Sequence, residues 1–387
     1  MEIVKAYEGR EHSFVKHELL KGYLEKLLFI MGMTGIREIT YVDCFAGPYM
    51  DESSNIQATS IAISLNILKK VKEALAMNGK YITIRAIYVE ENKYSYKRLD
   101  DYLNNKCPSG IQAFSIYGDY AEKVDEILQL CGNNSFTFFF VDPLGWTDVG
   151  IHRLGKLLNR PKSEFLITFM YAHLNRFVNK IQLRDQVSEM LGTLSEDDYQ
   201  NIQNLSPKDR EEFIVQKYRE QIMVAMGPDG TRRPRTYSAV IKDKNKERTK
   251  YHLVYGTRHY KGIIEFALQS DKAELIQRVV RIQLKQNADQ NRSLFEPEEE
   301  AEHFEDTRVD LDEVKRYWIR KLSDNPIAVN EAMLADMLEE TGWLISDLEG
   351  AFIALQADGK VENMDAKNKR SKHPIYFNKG EHLRRLI

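Results

Sequence analysis

The sequence predicts an α/β fold: a mostly parallel sheet covered on both faces, with a helical insertion, followed by a C-terminal winged helix. Three observations carry this. Short apolar runs alternate with amphipathic helical stretches between residues 38 and 171, the pattern of a parallel sheet covered on both faces. From Asn175 to about residue 230 the chain turns helical and charged, with no strand-like run. An acidic stretch, EPEEEAEHFED, then separates the remainder from what precedes it, as a solvated linker does.

The elements follow in order. Phe14, Val15, Leu19, Leu20, Tyr23, Leu24, Leu27, Leu28 and Met31 recur at three- and four-residue steps, which predicts a first amphipathic helix. ITYVDCFAG is the first strand, and a helix over Ala58–Ala76 follows it. ITIRAIYVEEN, IQAFSIYGDY, FTFFFVDP and EFLITFMY are expected to be strands two to five. Helices at Tyr94–Leu103, Ala121–Leu130 and Ile151–Leu158 lie between them. TYSAVIKD and YHLVYGTRH, joined by a charged turn, read as a hairpin on an antiparallel edge, with one more helix at Ala273–Ile282. Beyond the linker, Leu311–Leu322, Ala328–Leu338 and Ile345–Leu355 read as helices, and VENMD and PIYFN as two strands. The expected domains are residues 1–285 with an insertion over about 175–230, a linker over 286–312, and a winged helix over 313–387.

At 387 residues with 43% hydrophobic content, the chain can bury a large core. Its net charge of −3 excludes a uniformly basic coating protein, though not a local basic patch. Three cysteines with no paired spacing argue against a disulfide framework or zinc ribbon, and no metal site is expected. The N-terminal residues lack a signal-peptide core and no apolar run reaches the roughly 20 residues of a membrane span. The expected setting is cytoplasmic, without a membrane.

Candidate chemistry sits at the strand ends, where open α/β sheets bind ligands. Asp43, Phe45, Ala46 and Gly47 end the first strand, and Gly47 lets backbone approach a ligand. Glu90 ends the second and suits two ribose hydroxyls, provided that Val89 points into the core. Asp119 and Tyr120 follow the third; Asp119 is equally suited to an exocyclic amine and to capping the next helix. Asp142, Pro143 and Trp146 follow the fourth, with Trp146 as an expected stacking face. Arg258 and His259 are expected near the same level. Cys44 and Cys131 read as core.

In this order, these residues resemble the Rossmann-like S-adenosylmethionine-dependent methyltransferases. Asp142-Pro143 is similar to the loop of those acting on base amines, with Leu144 and Gly145 replacing the usual second Pro and aromatic. The runs KHELLKGYL, YVDCFAGP, IYVEEN, FFFVDPLG and LVYGTRHYKG resemble the three-Cys-motif partner family, whose members share the methyltransferase-like sheet. The resemblance covers roughly residues 5–270 and implies S-adenosyl-L-methionine as cofactor and a three-Cys-motif, radical-SAM-like protein as partner. The family's turn commonly continues Gly-Pro-Gly, where this chain has Gly47-Pro48-Tyr49.

At the C-terminus, Lys367, Lys369, Arg370 and Lys372 form a basic wing suited to phosphates, hence to a nucleic-acid partner. The preceding helix carries Asp347 and Glu349 and no Arg or Lys, so a protein-contacting winged helix stays open. The sequence therefore points to methyl transfer to a base amine of nucleic acid. The alternative is a non-catalytic nucleic-acid-binding or partner protein on the same fold.

Overall fold

The computed structural model describes residue 7 and residues 10–47, 59–243, 248–288 and 309–386. The chain divides into two compact units, Met1–Arg258 and His259–Ile387. Pro48, Tyr49 and most of the acidic linker lie outside the described residues.

In the first unit, α1 (Glu11–Met33) precedes β1 (Glu38–Asp43), α2 (Ser60–Met77), β2 (Thr83–Glu90), α3 (Lys93–Lys106) and β3 (Ile111–Tyr117). Then come α4 (Val124–Cys131), β4 (Phe136–Val141), α5 (Ile151–Leu158) and β5 (Ser163–Phe169). The insertion is helical: α6 (Tyr171–Phe177), α7 (Arg184–Leu191), α8 (Glu196–Asn204) and α9 (Pro207–Met226). Ser195 and Ser206 cap α8 and α9 by accepting from the Asp198 and Asp209 N–H groups. β6 (Arg235–Lys242) and β7 (Thr249–Thr257) complete one sheet of order β3-β2-β1-β4-β5-β7-β6.

β1 to β5 run parallel, and β7 enters between β5 and β6 antiparallel to both. The hairpin therefore completes the sheet on an antiparallel edge, as expected, with β6 outermost. Its pairing corrects the placement of Arg258. An antiparallel β7 ends beside the start of β5, where Phe165 pairs Gly256, at the far edge from the carboxyl ends of the parallel strands. There Arg258 donates to the carbonyls of Leu158 (2.8 Å), Arg160 (3.1 Å), Gly227 (2.9 Å) and Met226. It is a backbone clamp.

Strand alternation divides the sheet's two faces. Val42, Val89, Phe139, Val141, Ile167 and Val254 join the core built with α4, α5, α7 and α9. Tyr41, Tyr88, Phe138 and Tyr255 face the side of α1 and α2: Tyr23 of α1 meets Tyr255 (5.0 Å between ring centroids), and Ser64 of α2 meets Tyr88 at 2.8 Å.

The second unit opens with α10 (Tyr260–Ala288), far longer than expected and reaching past the anticipated boundary near 286. α11 (Leu311–Lys321), β8 (Ile327–Val329), α12 (Glu331–Thr341), α13 (Ile345–Ala357), β9 (Val361–Asn363) and β10 (Glu381–Arg385) form a winged helix-turn-helix. β10 lies between β8 and β9, antiparallel to both. Two expectations are corrected. Ile327–Val329 pairs with β10, so α12 starts at Glu331 with Asn330 capping it. PIYFN does not form the last strand; β10 starts only at Glu381, after a turn through Gly380 in the left-handed region (φ 64°). Trp318 centres this unit's core, donating from its indole N–H to the Leu348 carbonyl (2.9 Å) and meeting Phe352 edge-on.

Candidate functional site

Strand order reverses between β1 and β4: from β1 the chain steps outward through β2 and β3, then returns to β4 on the other side. Such a switch point opens a crevice beyond the carboxyl ends of the two strands. Asp43 and Asp142 stand at its two lips. Alternation turns both toward the side of α1 and α2, since Asp43 follows Tyr41 and Asp142 follows Phe140 at two-residue steps.

Asp43 is fully buried, accepting from the Phe45 N–H (3.1 Å) and the Ser60 hydroxyl (2.8 Å). Burial raises its carboxyl to about 7 despite these bonds. Asp142 behaves oppositely. Burial pushes it up, but the Lys16 ammonium, by charge and by hydrogen bond to Oδ2, holds it below its ordinary value. The two neighbouring carboxyls are thus pushed in opposite directions, Asp43 by burial and Asp142 by Lys16.

Lys16 reaches Asp142 from α1 and also lies over the Tyr251 ring at 5.7 Å. Next to it, His17 hydrogen-bonds the Tyr7 hydroxyl through Nδ1 (2.9 Å); burial drives this imidazole down to about 3, so it is neutral. The sequence reading had no role for Lys16. In the sequence it looks like the other charged steps of α1, and only the fold buries it, to 8% exposed, beside Phe14, Leu19 and Leu20.

The β1 turn is fixed by backbone. Cys44 N–H donates to the Phe140 carbonyl and Ala46 N–H to the Val89 carbonyl, both at 2.9 Å, so the turn is stitched to β4 and β2. Gly47 adopts φ +78°, a conformation that disfavours any side chain. Val89 is 1% exposed, which turns Glu90 to the other face. Glu90 accepts from the Asn92 N–H at 2.7 Å. Burial raises its carboxyl, while the Asn92 and Gly47 N–H groups draw it back. One carboxylate thus links the β1 turn to the β2 end.

The β3 loop is more committed. Asp119 accepts from the Ala121 N–H (2.8 Å) and from the Arg153 guanidinium (2.8 and 2.6 Å to its two oxygens). Tyr120 is 2% exposed, packs on Phe45 at 5.0 Å and donates to the Asp148 carbonyl. Its ring is core, and Phe45 shares that packing. Trp146 is also turned inward, 8% exposed and stacked with Phe177, so it offers no open stacking face to the crevice here. Pro143 is buried, whereas Leu144 beside it is 88% exposed. Cys44 is buried with its thiol pushed well above its usual value, as an inert core residue is.

One further pair lies at this edge. His252, opposite Phe169, bonds Glu211 of α9 through Nε2 at 2.8 Å. Among the described residues, no group of three His, Cys, Asp or Glu side chains could hold a metal ion, and no helix is long and apolar enough to cross a membrane.

In the second unit the four wing cations separate. Arg370 makes two hydrogen bonds to Glu381 (2.9 and 2.8 Å) and stacks over Tyr376, and Lys369 donates to the Gln356 carbonyl at 2.6 Å. Lys367 and Lys372 are exposed. Glu381, 4% exposed, also accepts from the Asn363 amide and the Tyr376 N–H, both at 2.8 Å. Burial works against its ionisation, but these bonds bring its carboxyl to about 2.

The model of the GMT-like wHTH domain family matches residues 294–368, consistent with the helix and strand order described. A sequence search of curated proteins returns no match. Among solved structures, a Legionella pneumophila protein of the DUF519 family aligns over 66% of this chain and 90% of its own, at 12% identity and TM-score 0.37. A loganic acid methyltransferase with SAH aligns over 95% and 94%, at 10% identity and TM-score 0.26. At such scores neither superposition carries weight, and the methyltransferase-like fold is read from the strand order itself.

Proposed function

We propose that the protein is an S-adenosylmethionine-dependent methyltransferase acting on nucleic acid, at an exocyclic base amine. The observation that supports it best is the switch point between β1 and β4. Asp43 and Asp142 line it, Glu90 stands one strand away, and a left-handed Gly47 puts no side chain at the end of the β1 turn. This donor set fits the cofactor: a carboxylate at the β2 end for vicinal hydroxyls, a glycine at position 47 that lets a ligand approach the turn, and acidic groups near a cationic sulfonium. When bound, S-adenosylmethionine supplies an electrophilic methyl group.

The chain's residues then do the positioning. Glu90, already anchored by two backbone N–H groups, accepts from the ribose. Asp119, fixed by Arg153, faces the adenine side. Asp142 accepts a hydrogen bond from the target amine and so aims its lone pair, with Lys16 keeping the carboxyl ionised. Holding two reactants in line supplies most of the acceleration. A base within a duplex has to be extruded first. We also place the protein in the cytoplasm on its composition, and infer a three-Cys-motif, radical-SAM-like partner from the resemblance of the sequence.

One observation favours the non-catalytic alternative: Lys16 already engages the acceptor that the amine needs. The replacement Asp142→Asn separates the two readings. Transfer of labelled methyl groups to oligonucleotides should fall about 100-fold or more, with cofactor affinity changed only a few-fold. Cofactor binding by the wild type without transfer to DNA or RNA would support the non-catalytic reading.

A further inference from the structure

We propose that the winged helix grips nucleic-acid phosphates through its first helix, α11, and not through its wing or its reading helix α13. The inference rests on the nucleic-acid part of the preceding reading and names the surface that carries it. The usual surfaces are compromised in this chain. α13 carries Asp347 and Glu349 and no cation, and its first turn is tied to α10 by the Ser346 hydroxyl donating to Asp271 (2.6 Å). The wing folds back on the same helix, with His373 Nδ1 at 3.3 Å from Glu349. Arg370 and Lys369 are spent on internal bonds.

The second unit instead holds a cavity of about 420 Å³ lined by Lys315, Arg316, Arg320 and Lys360, with Asp312 as its one acid. That volume is within the range of ligand sites, with room for a phosphate and its sugar. Leu355, 2% exposed, gives it an apolar wall. Arg316 and Arg320 are four residues apart on α11 and so share a face. Lys360 comes from the turn between α13 and β9, at the opposite end of β9 from the wing.

The cations remain available. Arg320 and Lys360 make no ion pair with a described residue. Lys315 and Arg316 are held only at 3.4 Å by Asp312 and 3.6 Å by Asp310, at the surface, where such pairs are weak. Glu340, which also feels Arg320, is occupied by Lys321 (2.7 Å) and Tyr317 (2.8 Å). Four cations converging on one concave wall form the footprint of a polyanion.

The test is fluorescence anisotropy of the full chain with labelled duplex DNA and single-stranded RNA at several salt concentrations. Each lost phosphate contact flattens the slope of log affinity against log salt by about 0.9 on duplex and 0.7 on single strands. Replacing Lys315, Arg316, Arg320 and Lys360 by Ala should flatten it by up to roughly 3.6 on duplex and roughly 2.8 on single strands, whereas Lys367→Ala with Lys372→Ala should leave it unchanged. The exposed single variants Arg320→Ala and Lys360→Ala, each expected to remove about one contact, guard against misfolding of the quadruple variant. An unchanged slope in a binding-competent quadruple variant, or a loss only in the wing variant, overturns the α11 assignment alone. No salt-dependent binding of either nucleic acid by the wild type overturns the nucleic-acid reading with it, leaving α11 to an acidic protein partner.

Discussion

The crevice at the β1–β4 switch point and the basic wing were both legible as charged clusters, yet the structure treats their charges differently. Around the crevice, Asp43, Glu90 and Asp142 are placed by sheet topology, and each hangs from a strand end that cannot move without the sheet. In the wing, Arg370 and Lys369 are absorbed into loop-closing bonds with Glu381 and Gln356. A parallel sheet thus delivers side chains to a common edge whatever their local partners. A loop with few backbone ladder bonds uses its long side chains to hold itself together.

The sharpest way to break this contrast is at Glu381, which satisfies Arg370, Asn363 and the Tyr376 N–H together. Glu381→Ala leaves the buried Asn363 amide and the Tyr376 N–H without this acceptor and releases the part-buried Arg370, a loss of about 1–3 kcal/mol. Chemical denaturation should show the second unit's transition shifted by that amount. A loss below about 1 kcal/mol would mean the wing cations are free after all.

A pH-dependent effect sharpens the other side. Asp43 is raised to about 7 when folded, above its unfolded value near 3.8. Between those values the folded chain binds more protons than the unfolded chain, so this group's stability contribution falls as pH rises and is lost above about 7. Asp43→Asn keeps an acceptor for the Phe45 N–H, turns an amide N–H toward the Ser60 oxygen, and cannot ionise. Its stability relative to wild type should therefore grow from pH 4 to pH 7, by about 2–4 kcal/mol at 1.36 kcal/mol per unit. A difference independent of pH contradicts the buried-acid account.

The strands, their order of appearance and the residues at their ends were readable because apolar runs and turn residues are local signals. Lys16 was not, because the contact that gives it meaning spans 126 residues and its helix position looks like any other charged step. Trp146 and Tyr120 were misjudged as site-facing for a related reason: an aromatic after a strand packs inward or outward according to α6 and α5, which lie elsewhere in the chain. The place of Arg258 depends on which hairpin strand pairs with β5 across the helical insertion, and that antiparallel pairing carries it away from the crevice. PIYFN carried strand-like residues, but the pairing partner of β9 is chosen by register, and Glu381 needs the turn before it.

The central claim is that the crevice between β1 and β4 holds S-adenosylmethionine with Glu90 on its ribose. Titration calorimetry of S-adenosylmethionine into the full chain and into Glu90→Ala tests it most directly. The account predicts saturable one-to-one binding by wild type, weakened by about 1.5–3 kcal/mol in the variant, the scale of hydrogen bonds to a charged group. Wild-type affinity retained in a folded Glu90→Ala protein, or no binding heat from the wild type, would contradict it.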